Sequence, residues 1–140
     1  MNQHIRLKND LAELQRFDAA LEDFAGANGL SREILLDLQL IFEEILTNIV
    51  KYGYDDEAEH LIDIDMVAGK EAMAFEIVDD GRPFDPLARP APDLETPLME
   101  RPIGGLGLHL VRSLTDSIHY LAQGGKNILR FTKHYGRKAT

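Results

Sequence analysis

The amino-acid sequence predicts an α/β fold of two layers, in which a mixed, mostly antiparallel sheet carries helices on one face. Two observations predict this fold. Apolar residues recur at helical spacing along two long segments of the N-terminal half, and later at two-residue spacing along short segments typical of strands. Glycine-containing connections separate successive strand segments, as in hairpins of antiparallel strands.

The N-terminal half predicts one strand and two helices. Residues 4–8 alternate and indicate a short edge strand. Asp10 and Glu13 form an Asp-x-x-Glu variant of the capping box, which predicts the start of the first helix. Ser31 is the predicted N-cap of the second helix, which we expect to end near Gly53.

The part of the chain that follows, from residue 61 onwards, is predicted to form four strands and a third helix. Residues 61–67 and 72–78 alternate and are joined by a short hairpin connection at 68–70. A helix is predicted to open at 105–107, and two closing strands are predicted on either side of Gly124-Gly125. We see no repeat and no boundary, so residues 1–140 are interpreted as a single domain.

Composition excludes several classes of function. The absence of cysteine excludes disulfides and thiolate metal sites. The formal net charge of −9 disfavours binding to nucleic acid, which requires a basic face. The sequence has neither a signal-peptide pattern nor an apolar run of about 20 residues, so we expect a soluble, cytoplasmic protein that does not bind a membrane.

A proline-rich segment interrupts the predicted elements. All six prolines lie between Pro83 and Pro102, a density that prevents a regular helix or strand. Long irregular segments inside compact domains are usually functional or disordered. We therefore interpret residues 82–104, approximately, as a lid.

The first motif with a chemical meaning is Glu44-Ile-Leu-Thr-Asn48. Residues four apart share one face of a helix, and Lys51 lies on that face as well. An amide oxygen is a hard, neutral ligand that suits Mg²⁺, and a carboxylate one turn away can accept a proton. The alternative is a surface Glu beside a hydrogen-bonded Asn.

Two further motifs involve glycine. Asp79-x-Gly81 follows a strand, where a carboxylate can accept a hydrogen bond from an exocyclic amine and a glycine allows a close approach or a positive φ. The alternative interpretation of this motif is a plain Asp-Gly turn.

Gly105-x-Gly107 is predicted to open a helix, whose free amides can bind an anion. Alternatively, the same glycines could simply allow a tight turn into the helix.

Taken in this order, the three motifs suit a nucleotide and its Mg²⁺ ion. They also resemble three boxes of the GHKL ATPase superfamily: residues 42–54 resemble its N box, residues 79–86 the next box, and residues 104–112 the glycine lid box. The stand-alone branch, the anti-sigma factor serine kinases of the RsbW and SpoIIAB type, is most similar. The resemblance extends from about residue 5 to residue 133 and implies a Bergerat-type, histidine-kinase-type ATP-binding fold.

The resemblance also implies roles for individual residues. Glu44 matches the general base, Asn48 the magnesium ligand and Asp79 the acid that contacts adenine. The positions that match cofactor-binding residues are Asn48, Lys51, Asp79, Gly81, Pro83, Phe84, Gly104, Gly105, Leu106, Gly107 and Leu108. The candidates for the basic contact of the lid to the γ-phosphate are Arg82, Arg89 and Arg101.

The chain departs from the pattern of this branch at two places. Tyr52 stands where members often have His. Sporulation-type members carry a Gly-Thr-Thr run near the last strands, and here the run is Gly125-Lys126-Asn127.

The function implied by the resemblance is an ATP- and Mg²⁺-dependent kinase that phosphorylates a serine on a STAS-domain antagonist and sequesters a sigma factor, with a homodimer as a further implication. A nucleotide-gated binding module with little phosphotransfer is the rival hypothesis from another class. A histidine kinase fragment fits less well, because the chain has no room for a dimerising helix with a phospho-accepting His.

Overall fold

The computed structural model describes residues 2–83 and 105–136, and only the backbone of residues 105–108. The elements follow in the order β1 (Gln3–Lys8), α1 (Glu13–Ala27), α2 (Arg32–Tyr52), β2 (Leu61–Ala68), β3 (Ala72–Asp79), α3 (Gly105–Leu114), β4 (Ser117–Gln123) and β5 (Lys126–His134). None of the helices in these ranges is long and apolar enough to cross a membrane.

One five-stranded sheet has the strand order β1-β2-β3-β5-β4. Every pairing between these strands is antiparallel. The predicted α/β class with a mostly antiparallel sheet is therefore confirmed, without a parallel pair in the described part of the chain. β1 pairs with β2 alone and is an edge strand, as predicted.

The helices cover one face of the sheet, and a single apolar core lies between the two layers. The alternating strand residues Ile64, Phe75 and Phe131 are buried together with Leu21 and Ile41 of the helices. This two-residue alternation of buried positions places the even residues of β2 and the odd residues of β3 and β5 towards the helices.

Phe42 of α2 lies at the centre of an aromatic cluster within this core. Its ring centroid is 4.6 Å from that of Phe17, 5.4 Å from that of Phe75 and 5.3 Å from that of Phe131. The cluster fixes α2 against the middle of the sheet. It thereby fixes the residues that follow Phe42 on the helix.

The predicted ends of α2 are found as expected. The Ser31 hydroxyl accepts a hydrogen bond from the amide of Ile34 at 3.2 Å, which is the N-cap geometry. The helix ends at Tyr52, and the amide of Gly53 still donates to the carbonyl of Ile49.

The predicted capping box of α1 is wrong. The carboxylate of Asp10 accepts from the amide of Ala12, while that of Glu13 accepts from the amide of Lys8 at the end of β1. Arg16 binds the Glu13 carboxylate as well and lowers the pKa of Glu13 to about 2, with help from the Lys8 amide. Glu13 therefore joins α1 to β1 instead of capping its own helix.

Phe42→Ala should destabilise the protein by about 3–5 kcal/mol, because it leaves a cavity where three other aromatic rings meet. Leu36→Ala is the matched control on the same helix, since the Leu36 side chain is exposed. Urea denaturation measures both variants. Similar losses of stability in the two would contradict the central place of Phe42.

Candidate nucleotide site

Helix α2 brings Glu44 and Asn48 into direct contact. The Asn48 side-chain amide donates a hydrogen bond from Nδ2 to Oε1 of Glu44 at 3.1 Å, and both residues are half-buried. Since Nδ2 is used in this bond, the Asn48 oxygen Oδ1 is turned away from the carboxylate and can serve as an acceptor or a metal ligand. Lys51 lies exposed in the last turn of the same helix.

Asp79 is the last residue of β3 and is 7% exposed. Its Oδ1 atom accepts hydrogen bonds from the amide of Gly81 at 2.8 Å and from the side chain of Asn127 at 3.0 Å. Burial raises the pKa of the Asp79 carboxyl, although these two hydrogen bonds act in the opposite direction. Both hydrogen bonds hold the same oxygen, Oδ1, against the protein.

Asn127, at the start of β5, was not among the predicted site residues. Its Nδ2 atom lies 3.0 Å from Asp79 Oδ1, 3.1 Å from the Gly81 carbonyl and 3.0 Å from the Arg82 carbonyl. The Tyr120 hydroxyl donates to Oδ1 of the same side chain. Asn127 therefore connects the carboxylate of Asp79 to Gly81 and to Arg82, the first residue of the predicted lid.

A sequence signal for Asn127 did exist. Asn127 alternates with Leu129 and Phe131 on the buried face of β5. A polar residue on such a face requires a hydrogen-bonding partner. The sequence did not reveal that this partner is Asp79.

Gly81 lies against the end of α2. A Cβ atom at this position would come within 2.5 Å of the Gly53 carbonyl oxygen and 3.0 Å of Asp79 Oδ1. Its φ is not positive, so a close approach of backbones explains the glycine. Of the two roles left open by the sequence, only the close approach is found.

Arg82 also binds the end of α2. Its amide donates to the Gly53 carbonyl at 2.7 Å, and its guanidinium contacts Asp55 at 3.3 Å and donates to the Tyr52 carbonyl. Arg82, a candidate for the basic contact of the lid to the γ-phosphate, therefore binds the C-terminal end of α2 and the loop that follows it. The other two candidates, Arg89 and Arg101, lie outside the described residues.

Helix α3 begins at Gly105 and includes Gly107, as the glycine motif predicts. The amides of the first turn of a helix have no partner within it, and together with the helix dipole they favour an anion. Only the backbone is described for Leu106 and Leu108. Pro83 is exposed at the end of the described segment, whereas Phe84 and Gly104 lie outside the described residues.

His60 lies in a cluster of polar and aromatic side chains next to the Asp79 motif. The His60 ring is 2.7 Å from Asp56 and 3.2 Å from Asp80, and it stacks on Tyr54 with ring centroids 4.3 Å apart. The hydrogen bond to Asp56 is the largest cause of a raised pKa of His60. His60 thus holds the loop between α2 and β2 by contacts with Asp56, Asp80 and Tyr54.

Comparison with protein families agrees with this geometry. The profile of the histidine kinase-like ATPase domain matches residues 7–133. The matched region includes α2, the Asp79 motif, the glycine motif and Asn127.

Curated relatives include serine kinases of bacteria. The chain is 28% identical over 114 residues to the serine/threonine-protein kinase BtrW of Bordetella bronchiseptica, covering 81% of this chain and 80% of the relative. It is 29% identical over 124 residues to the serine-protein kinase RsbW of Listeria monocytogenes, covering 85% and 78%.

Solved structures have the same fold. A crystal structure of the RsbU and RsbW domains of a Mycobacterium tuberculosis protein matches 96% of this chain with a TM-score of 0.69 at 16% identity. This chain spans 32% of that longer chain. The histidine kinase AdeS of Acinetobacter baumannii matches with a TM-score of 0.51 at 16% identity, covering 96% of this chain and 68% of the kinase.

Asp79→Asn should remove a loss of stability that the parent undergoes as the pH rises above about 3.9, the usual pKa of an aspartic acid. Because the pKa of Asp79 is raised in the folded protein, the protonated carboxyl contributes stability at low pH, and this contribution is lost as the pH rises through the raised pKa. The raised pKa of His60 changes the stability only above about 6.5, and His60 is the same in both proteins. Urea midpoints of the nucleotide-free protein measure the effect.

Asp23→Asn is the control for this measurement, because Asp23 is exposed on α1. It should leave the pH dependence unchanged. A pH dependence of Asp79→Asn equal to that of the parent would contradict the raised pKa.

Proposed function

Because the chain belongs to the histidine kinase-like ATPase domain family, we propose that it is an ATP-dependent serine/threonine protein kinase that acts as a partner-switching regulator. The family match and the kinase-named relatives support an ATP-using enzyme of the kinase type. The finer part of the proposal is the substrate, a serine on a STAS-domain antagonist. It draws on the resemblance to anti-sigma factor kinases.

The observation that carries the proposal is the hydrogen bond between Asn48 and Glu44. It holds the Asn48 side chain, whose amide oxygen suits Mg²⁺, beside the Glu44 carboxylate, which can accept a proton. Asn48 would hold the metal with its Oδ1 atom, while its Nδ2 atom orients Glu44. When bound, Mg²⁺ supplies positive charge that offsets charge on the transferring phosphoryl group.

In the proposed step, the carboxylate of Glu44 accepts the proton of the serine hydroxyl. The serine oxygen forms a bond to the γ-phosphorus of ATP, the bond from that phosphorus to the bridging oxygen breaks, and ADP leaves with the electron pair. The free amides at the start of α3 bind phosphate oxygens, so they orient the reacting group and lower the electrostatic barrier.

Asp79 supplies recognition of the base. Its Oδ2 atom would accept a hydrogen bond from the exocyclic amine of adenine, while Asn127 and Gly81 hold Oδ1 in place. A carbonyl at the same place on the base, as in guanine, would face a carboxylate without a donor. The proposed site therefore prefers ATP to GTP.

We propose two protein partners, a STAS-domain antagonist and a sigma factor. A nucleotide-gated binding module remains the second candidate, and one contact favours it. Asn127 joins Asp79 to the carbonyls of Gly81 and Arg82, so binding of the base at Asp79 is coupled to the start of the predicted lid. A homodimer remains a prediction of the resemblance.

Glu44→Gln should reduce phosphotransfer by about 10²–10⁴-fold, because the amide cannot accept the serine proton. ATP binding should persist. The measurement is the transfer of ³²P from labelled ATP to a STAS-domain protein from the same genome, with a variant of that protein lacking the acceptor serine as a blank.

Glu43→Gln is the matched control, since Glu43 is the exposed neighbour of Glu44 on α2. It should transfer phosphate at the parental rate. Equal rates for Glu44→Gln and the parent would remove Glu44 from the reaction. If the parent binds ATP and transfers no phosphate, the binding-module function replaces the kinase.

A further inference from the structure

A fully buried ion pair lies outside the three motifs. The Nζ atom of Lys133 is 3.2 Å from Oδ2 of Asp37, and the two side chains are 1% and 2% exposed. The same ammonium donates a hydrogen bond to the carbonyl of Leu114 at 2.6 Å. Charges buried to this extent are costly to desolvate, and apolar residues of similar size are often as stabilising.

The pair joins three elements of the fold. Asp37 lies on α2, two turns before Glu44, while Lys133 lies on β5 and Leu114 is the last residue of α3. The carbonyls at the C-terminal end of a helix carry partial negative charge, so an ammonium at Leu114 suits the end of α3. Asp37 balances that ammonium from the side of α2.

The position of α3 matters because its other end is the glycine turn at Gly105. A 10-residue helix spans about 15 Å and behaves as a rigid element. The buried side chain of Val111 packs α3 into the core near its C-terminal end. The contact at the Leu114 carbonyl, together with the packing of Val111, therefore helps to set the direction of α3 and the position of its N-terminal amides.

We propose that Lys133 and Asp37 are positioning residues that set the phosphate-binding end of α3 against Glu44 and Asn48. This inference rests on the proposed function, since it assumes that the start of α3 binds the phosphates of ATP. Neither residue touches the nucleotide. They act through the carbonyl of Leu114 and the direction of the helix.

Replacing the pair should weaken binding of the phosphates of ATP and leave binding of the base unchanged. Asp79 is held by Gly81 and Asn127, and neither contact involves Lys133, Asp37 or the end of α3. The affinity for adenosine therefore reports the base site alone. The ratio of the affinities for ATP and adenosine reports the placement of α3.

The test is calorimetry of ATP and of adenosine, each with Mg²⁺, on the parent and on the double variant Asp37→Leu/Lys133→Met. A single substitution would leave a buried charge without its partner, whereas the double variant replaces the pair with apolar side chains. We expect affinity for ATP to fall about tenfold, the effect of one misplaced charge-assisted hydrogen bond, and affinity for adenosine to change less than about twofold.

The control is Glu76→Leu/Arg130→Met, which replaces another ion pair of β5 with the same two residue types. That pair, 2.7 Å between Arg130 Nε and Glu76 Oε2, lies on the outer face of the sheet with side chains 60% and 33% exposed. The control should keep the parental ratio of ATP to adenosine affinity.

A merely structural pair would change the urea midpoint and leave the affinity ratio unchanged, which would overturn the inference alone. If the parent itself fails to bind ATP, the proposed function fails and the inference falls with it. If the double variant does not fold, Lys133→Arg is tested instead, because it keeps the positive charge but displaces the donor from the Leu114 carbonyl. A ratio of ATP to adenosine affinity in Lys133→Arg equal to that of the parent would overturn the inference.

Discussion

The carboxylate of Asp79 is buried at the end of a central strand, and the surrounding structure is arranged to keep it there. Burial raises its pKa and makes its charge costly, and two hydrogen bonds to one of its oxygens offset part of that cost. One bond requires the chain to turn at Gly81 against the carbonyl of Gly53. The other requires the start of β5 to lie beside the end of β3, which the strand order provides.

This constraint connects the Asp79 motif to helix α2, which carries Glu44 and Asn48. Gly53 ends α2, so the contact of Gly81 and Arg82 with that residue ties the Asp79 motif to the helix that carries Glu44 and Asn48. The aromatic cluster around Phe42 fixes the same helix against the sheet. The positions of the Asp79 motif and of Glu44 and Asn48 thus depend on how α2 packs against the core, as well as on the motif residues themselves.

The sequence was sufficient for the elements, because apolar periodicity follows directly from having one buried face. It was also sufficient to place Glu44 beside Asn48, since a spacing of four on a helix determines that neighbourhood. It failed at Glu13, where Lys8 and Arg16 compete for the carboxylate that the capping box assigns to the helix. Local patterns do not reveal such competition.

Contacts between distant segments were missed for a related reason. Asn127 and Asp79 are 48 positions apart, and no pattern along the chain pairs them. Lys133 continues the buried alternation of Leu129 and Phe131, and Asp37 lies in the apolar stripe of α2. Each was a visible exception to its pattern, but only the fold shows that the two exceptions meet.

Calorimetric titration of ATP and GTP, with Mg²⁺, into the parent and into Asp79→Asn tests most directly whether Asp79 recognises the base. The parent should bind ATP at least about tenfold more tightly than GTP. Asp79→Asn should lose this preference while remaining folded, because an amide can donate to the carbonyl of guanine as readily as accept from adenine. Equal affinities of the parent for ATP and GTP, or an unchanged preference in Asp79→Asn, would contradict the assignment of Asp79 to the base.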